Sequence, residues 1–271
     1  VAQIYLRELQ GAHHHLVGVL KTSDGVFFRL GELLPIPGDP RQRFRSTGKL
    51  GGGSTSARNQ VFDELATPYA TILDADDRLK PCKLERVRAA LVHHPIVSVA
   101  LDVLDENYRH LRHVGAGADR QLRSRDYKFV SLSMDSMVAW DRRICDGRYD
   151  PDLRNMTDLD FLMRLWRTAP GTFHVGTPLH DYVKIPVSMS NGPGVTERMI
   201  AAKTTLLERL ESGFYPMQDP EAVEGLSRFL RISLQAEAEY TGEGLFEDHL
   251  EPRIPAAADH PHPPFGHLLP A

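Results

Sequence analysis

Apolar positions recur along this chain in two rhythms, one helical and one extended, and together they mark out its elements. Val1, Ile4, Leu6 and Leu9 fall at helical spacing and stop at Gly11, which predicts a short helix. Leu16 to Leu20 is a brief apolar run ending in the polar turn Thr22 to Gly25, the pattern of a buried strand. Residues 35–53 carry Pro35, Pro37, Gly38, Pro40 and Gly51 to Gly53, so they read as loop. Ser54 or Thr55 then caps a helix running through ARNQVFDELA. The next strand, ATILDA, loses its apolar run at Asp74. The helix KLERVRAALVHH follows, and then the strand Ile96 to Val103.

Residues 105–127 are charged and unpatterned and read as a surface loop. After MVAWDRRI and the turn-rich GRYDPDL comes the helix DLDFLMRLWRT, with Leu159, Phe161, Leu162 and Leu165 on its apolar face. A strand near FHVG leads into LHDYVKIPVSMS. Amphipathic helices at about 195–212 and 218–240 follow, and the chain from Glu251 is rich in Pro and His, the composition of a disordered tail. Strands alternating with helices predict an α/β fold with a mostly parallel, Rossmann-like sheet flanked by helices and a C-terminal helical extension. The expected division is 1–193 for the α/β domain, 194–245 for the extension and 246–271 for the tail. In such sheets ligands bind beyond the carboxyl ends of the strands, where Asp74, Asp76 and Asp77 stand.

Composition narrows the classes. A net charge of −4 and a pI near 6.4 give no general attraction for nucleic acid or an anionic membrane. Cys82 and Cys145 fit no metal spacing and no disulfide framework, as in a reducing cytoplasm. No apolar run approaches the roughly 20 residues of a transmembrane helix, and the N-terminal residues lack the order of a secretory signal. A cytoplasmic protein is expected.

The candidate chemistry centres on ILDADD. Three carboxylates within four residues at a strand end concentrate like charge, which is costly unless a cation or donors compensate. A hard divalent cation, Mn²⁺ or Mg²⁺, shared with phosphate oxygens would relieve that cost and offset charge on a diphosphate leaving group. The alternative is a solvated acidic turn capping KLERVR. His13-His14-His15 cannot converge on one ion from consecutive positions, and His93-His94 precedes Pro95 as a helix terminus would. Trp140 and Trp166 have apolar neighbours and suit a core; Trp140 could alternatively stack on a sugar.

The order GGGSTSARNQVFDELATPYATILDADDRLKP resembles the family 2 glycosyltransferases of the GT-A fold. In that family a glycine-rich loop precedes Ala-Arg-Asn on a helix, and a strand then ends in Leu-Asp-Ala-Asp-Asp. Downstream, MVAWDRRICDGRYDPDL is similar to the family's strand and Gly-Phe-Asp-Pro-Asp-Leu acceptor-side loop. TDLDFLMRLW is similar to its Glu-Asp-x-Asp helix, and LHDYVKIPVSMS to its Tyr-x-x-x-Pro-x-Ser-x-Ser segment. The likeness spans about residues 16–190. It implies a glycosyltransferase that moves a sugar from a nucleotide-diphosphate sugar, UDP-sugar favoured, to an acceptor hydroxyl, inverting and metal-dependent. Asp74 and Asp76 would form the Asp-x-Asp pair, with Asp76 on the metal and Asp77 supporting or sharing it. Arg58 and Asn59 would lie beside the nucleotide, although Arg58 could equally tie its helix to the acidic turn by an ion pair. Asp24, in the Ser-Asp-Gly turn, would contact the base, or be a simple turn residue. Asp158 aligns with the general base that takes the acceptor proton. Asp158 and Asp160 lie two apart near a helix N-terminus, so only one readily faces a site; both could instead serve the helix dipole.

The chain departs from the family at three places. It opens on what resembles the helix after the family's first strand, so the start is either truncated or rebuilt. Thr157 replaces a Glu before the base. Val183 and Ile185 occupy the positions of an Arg and a His that contact diphosphate or metal, leaving Lys184 or His180 as substitutes, or as surface residues. These departures keep open a degenerate GT-A-like binding domain. A nucleotidyltransferase is the third reading, and it lacks the glycine-rich basic loop that such an enzyme needs. The extension could pack on the domain or on a second subunit of a homo-oligomer.

Overall fold

A computed structural model describes residues 54–74, 77–130, 137–184, 194–243 and 246–255, together with the backbone of 16–18 and 42–44. Leu16–Gly18 (β1) and Gln42–Phe44 (β2) pair in parallel; β2 lies within the stretch expected as loop. The predicted helix at 1–11, the turn holding Asp24, and Asp76 lie outside the described residues.

The main sheet has seven strands. Its central order is Tyr69–Thr71 (β3), Val138–Asp141 (β8), Ile96–Leu104 (β5), Gly171–Val183 (β9) and Arg78–Leu79 (β4). His110–Val114 (β6) pairs with β5, and Arg120–Arg123 (β7) with β9. Strands β3, β5 and β9 run in one direction, since β3 and β5 are each antiparallel to β8 and β9 is parallel to β5. The sheet is therefore mixed rather than mostly parallel. Among the described pairings of this sheet, β5–β9 is the parallel one.

The segment expected as an unpatterned loop, 105–127, accounts for part of the difference. It forms β6 and β7, and the turn from Asp105 to Arg109 is too short for anything but an antiparallel return. Asp105 closes that turn by accepting from the amides of Asn107 (2.8 Å) and Arg109 (2.9 Å), while Tyr108 takes a left-handed φ of 62°. Polar, exposed faces hid both strands from a reading based on apolar alternation.

Helices cover both faces. Val97, Val99, Leu101 and Val103 of β5 pack with Val87 and Leu91 of the helix Lys83–Leu91 (α2). On the other side, Ile96, Val138 and Trp140 join Phe62 of the helix Ser54–Glu64 (α1) and Leu159, Phe161, Leu162 and Leu165 of the helix Thr157–Leu165 (α4). All four predicted apolar positions of α4 are fully buried. A short helix, Tyr127–Val130 (α3), precedes β8.

The two expected C-terminal helices are Val195–Glu211 (α5) and Ala222–Glu239 (α6). They share the core of the α/β layer, since Leu206, Leu210, Leu226, Phe229 and Leu230 belong to the same cluster as Trp166 and Tyr127. Phe246–Leu250 (α7) and a 3₁₀ turn at Glu251–Arg253 follow, so the start of the expected tail is helical, with Leu250 buried. No helix among the described residues is long and apolar enough to cross a membrane. Cys82 and Cys145 are free thiols, as expected.

Candidate active site

The carboxyl ends of β3, β5 and β9 lie on one side of the sheet. There the main-chain N–H of Lys184, just past β9, donates to Leu104 O at the end of β5 (2.8 Å). The acidic turn follows β3, and Asp77 N donates to Asp74 O across it (3.2 Å). Each described carboxylate of the turn is anchored to a different element.

Asp74 is held from α1. The guanidinium of Arg58 pairs with its carboxylate, and a second guanidinium N–H lies 3.2 Å from the hydroxyl of Tyr149, over whose ring the guanidinium also sits. The ion pair was one of the two readings open for Arg58. Its neighbour Asn59 is bonded to the backbone of Tyr149 at both ends of its side-chain amide. Its side-chain amide donates to Tyr149 O, and its side-chain oxygen accepts from Tyr149 N, both at 2.9 Å. This reciprocal clamp fixes the GRYDPDL segment on α1. Tyr149 also stacks on Phe161 at 4.5 Å, and a Cβ at Gly147 would meet the Phe161 ring at 2.7 Å, so only glycine fits there without movement. Arg58, Asn59 and Asp74 are thus brought together around Tyr149, which reaches across to α4, the helix of Asp158.

Asp77 is held from beneath and is nearly inaccessible, at 3% exposure. One carboxylate oxygen lies 2.9 Å from Nε2 of His180 on β9, and the other accepts from the main-chain N–H of Val183 (3.1 Å). Nδ1 of His180 lies 2.7 Å from Nζ of Lys83, the first residue of α2. The arrangement is satisfied when Lys83 donates to Nδ1 and Nε2–H donates to the carboxylate, with a neutral imidazole. Burial pushes His180 well below the usual imidazole value, and the neighbouring Lys83 adds to that. Burial also lowers Lys83 to about 7, against the pull of Asp77. These bonds fix the position of the Asp77 carboxylate within the turn.

His180 and Lys184, the proposed substitutes for the missing Arg and His, are both buried rather than on the surface. His180 supports Asp77, and Lys184 pairs with Glu247 of α7. Lys83, and its pairing with His180, escaped the sequence reading because the two residues are 97 apart in the chain. Their signal was an unexplained Lys at a helix start and a His inside an apolar strand.

On α4 the two aspartates separate as their spacing requires. Asp160 is fully buried, bonded to the Tyr215 hydroxyl (2.6 Å) and to Nε of Arg164 (2.8 Å). Asp158 is half-buried, and its charge favours the ammonium forms of Lys128 and Lys203, whose values burial lowers. Trp140 is core, edge-on to Phe161 at 4.9 Å, and is not available as a sugar platform.

A mixed sheet covered on both faces, with an acidic turn beyond the carboxyl ends of its parallel-running strands, is a GT-A-like α/β fold. Solved structures of TarS from S. aureus share it. The complex of TarS residues 1–349 with UDP-GlcNAc superposes with a TM-score of 0.52 at 12% identity, covering 73% of this chain and 56% of that one. A second TarS structure gives a TM-score of 0.52 at 10% identity, over 74% of this chain and 34% of that one. The chain therefore spans about half of one relative and a third of the other. No protein-family model matches the chain, and none of the curated proteins does.

Proposed function

We propose that this protein is a glycosyltransferase that moves a sugar from a nucleotide-diphosphate donor to an acceptor hydroxyl with inversion. The observation that carries the reading is the anchored acidic turn, with Arg58 on Asp74 at one end and the Lys83–His180 pair on Asp77 at the other. Holding like charges at a strand end from a helix, α1, and a strand, β9, is costly in water and useful where a ligand must be met by a rigid site. A UDP-sugar is the donor we favour, because TarS, which shares the fold, was solved with UDP-GlcNAc.

A hard divalent ion, Mn²⁺ or Mg²⁺, suits the carboxylate donors of this turn. The ion would rest on Asp76, as the family resemblance implies, with Asp77, whose carboxylate is fixed from β9, as support. When bound, such an ion offsets charge on the leaving diphosphate. The chain's own residues do the rest. Asp158 takes the proton of the attacking hydroxyl, and Lys128 and Lys203 give its carboxylate a positive surrounding. The Tyr149 segment, clamped by Asn59, sets the spacing between Asp74 on one side and α4 on the other.

The experiment is a thermal-shift screen of UDP, GDP, dTDP and CDP, with and without Mn²⁺, on the wild type and on Asp76→Ala. One nucleotide, UDP, is expected to stabilise the protein only with metal, by about 2.7 kcal/mol at 100 times its dissociation constant. Asp76→Ala should abolish the shift. A wild type that no nucleotide stabilises would overturn the transferase reading in favour of a GT-A-like domain without donor binding.

A further inference from the structure

We propose a second, independent cation site, formed by Asp102, His110 and His113 on the β5–β6 hairpin and selective for a borderline divalent ion such as Zn²⁺. One ligand atom from each residue lies within 4.8 Å of the others. Both imidazoles turn Nδ1 toward the same oxygen, Oδ1 of Asp102, at 2.5 Å from His110 and 3.7 Å from His113.

The backbone explains how a His-x-x-His spacing achieves this. In a regular strand, residues three apart point to opposite faces. Here Asp102 pairs with His113 and Val103 with Arg112, but Leu104 pairs with His110, so Leu111 is an extra residue in β6. The bulge restores the phase. Asp102 and Leu104 share a face, and their partners His113 and His110 therefore share it as well. Bulges of this kind re-aim side chains, and this one aims two imidazoles at a carboxylate.

Two further features suit an ion. Nδ1 of His113 is buried and has no hydrogen-bond partner, although the side chain as a whole is 41% exposed, so Nδ1 faces inward while the far ring edge meets solvent. The second oxygen of Asp102 is held by Nζ of Lys80 at 2.7 Å, and Lys80 also reaches Asp181 (3.4 Å). The carboxylate is thus oriented from behind, as ligating carboxylates usually are, with Oδ1 left toward the imidazoles.

In a tetrahedral zinc site with bonds of about 2.0–2.2 Å, donors lie about 3.3 Å apart, so loading requires adjustments on the order of 1 Å. Both imidazoles, partly open to solvent at 49% and 41% side-chain exposure, can make these by side-chain rotation. His110 would move its proton from Nδ1 to Nε2 and exchange its hydrogen bond to Asp102 for the ion. Two nitrogen donors and one carboxylate favour Zn²⁺, Co²⁺ or Ni²⁺ over the hard ions suited to the acidic turn. Three protein ligands leave a position for water. The site would clip β6 to β5 beside β4, the strand that follows Asp77.

The test is Zn²⁺ binding to the full chain by calorimetry, with Co²⁺ absorption as a second readout of imidazole ligation. His110→Ala/His113→Ala is expected to bind one Zn²⁺ per chain fewer than the wild type and to lose the matching Co²⁺ signal. Each single variant should weaken that site at least about tenfold. Asp76→Ala should retain it. His110 is exposed and His113 half-buried, and circular dichroism will verify that the variants fold. Unchanged stoichiometry in the double variant, or loss of the same ion in Asp76→Ala, would overturn the proposal.

Discussion

Single positions in this site are held by interactions whose cost of removal can be stated. Gly147 is the clearest. An added methyl group would press on the buried Phe161 ring, which is itself fixed between Trp140 and Tyr149. Gly147→Ala should cost about 1–3 kcal/mol by overpacking, read as a fall in the denaturant midpoint at unchanged slope. The motif reading placed a glycine there and could not say why, because the ring it must admit lies on a different element. Arg58 shows the same limit. Its position beside Asp74 was legible from the order of the motifs, whereas its contact with the Tyr149 hydroxyl depended on where the two elements meet.

Between elements, the helical extension is tied to the α/β layer by charges as well as by apolar contact. Lys203 of α5 and Glu237 of α6 form a buried pair at 2.6 Å, with Lys203 also over the Phe246 ring of α7. Removing one partner strands the other's charge in the core. Lys203→Met should therefore lose about 3–5 kcal/mol, and Lys203→Met combined with Glu237→Leu should recover most of that loss. A double-mutant cycle by denaturant unfolding measures both. The spacing of apolar residues located these two helices to within a few positions. Their packing against Trp166 and Tyr127 was not readable, because an amphipathic face states that a partner exists without stating which. Strands β6 and β7 are the converse case. They are polar outside and were invisible to alternation, and they become strands only because β5 and β9 offer edges to pair with.

For the whole molecule, buried histidines make stability depend on pH. His174 is fully buried, with Nε2–H donating to Gly115 O (2.7 Å) and Nδ1 accepting from the Ser98 hydroxyl (2.8 Å). Burial, against the hydrogen bond to Gly115, lowers it from 6.5 to about 4. Between those values the unfolded chain binds more protons than the folded one. The stability contributed by the neutral imidazole is thus complete above pH 6.5 and is lost as pH falls toward 4. The expected loss is on the order of 3 kcal/mol. Unfolding free energy followed across that window should fall less steeply in His174→Gln than in the wild type. Equal slopes would show that His174 does not carry the effect.

The order of apolar runs and turn residues by itself determined the α/β class, the helices α1, α2, α4, α5 and α6, the strands near β1, β3, β5 and β9, and the position of an acidic turn at a strand end. Those features are local: a period of two or 3.6, a cap, or a proline is written in consecutive residues. Tertiary structure decided the rest. It made the sheet mixed by inserting β8 between β3 and β5, and it set Lys83 and His180 beneath Asp77. It also turned His110 and His113 to one side through a single extra residue. Each of these outcomes joins groups far apart in the chain or depends on pairing register, and neither distance in space nor register is encoded in the spacing of neighbours.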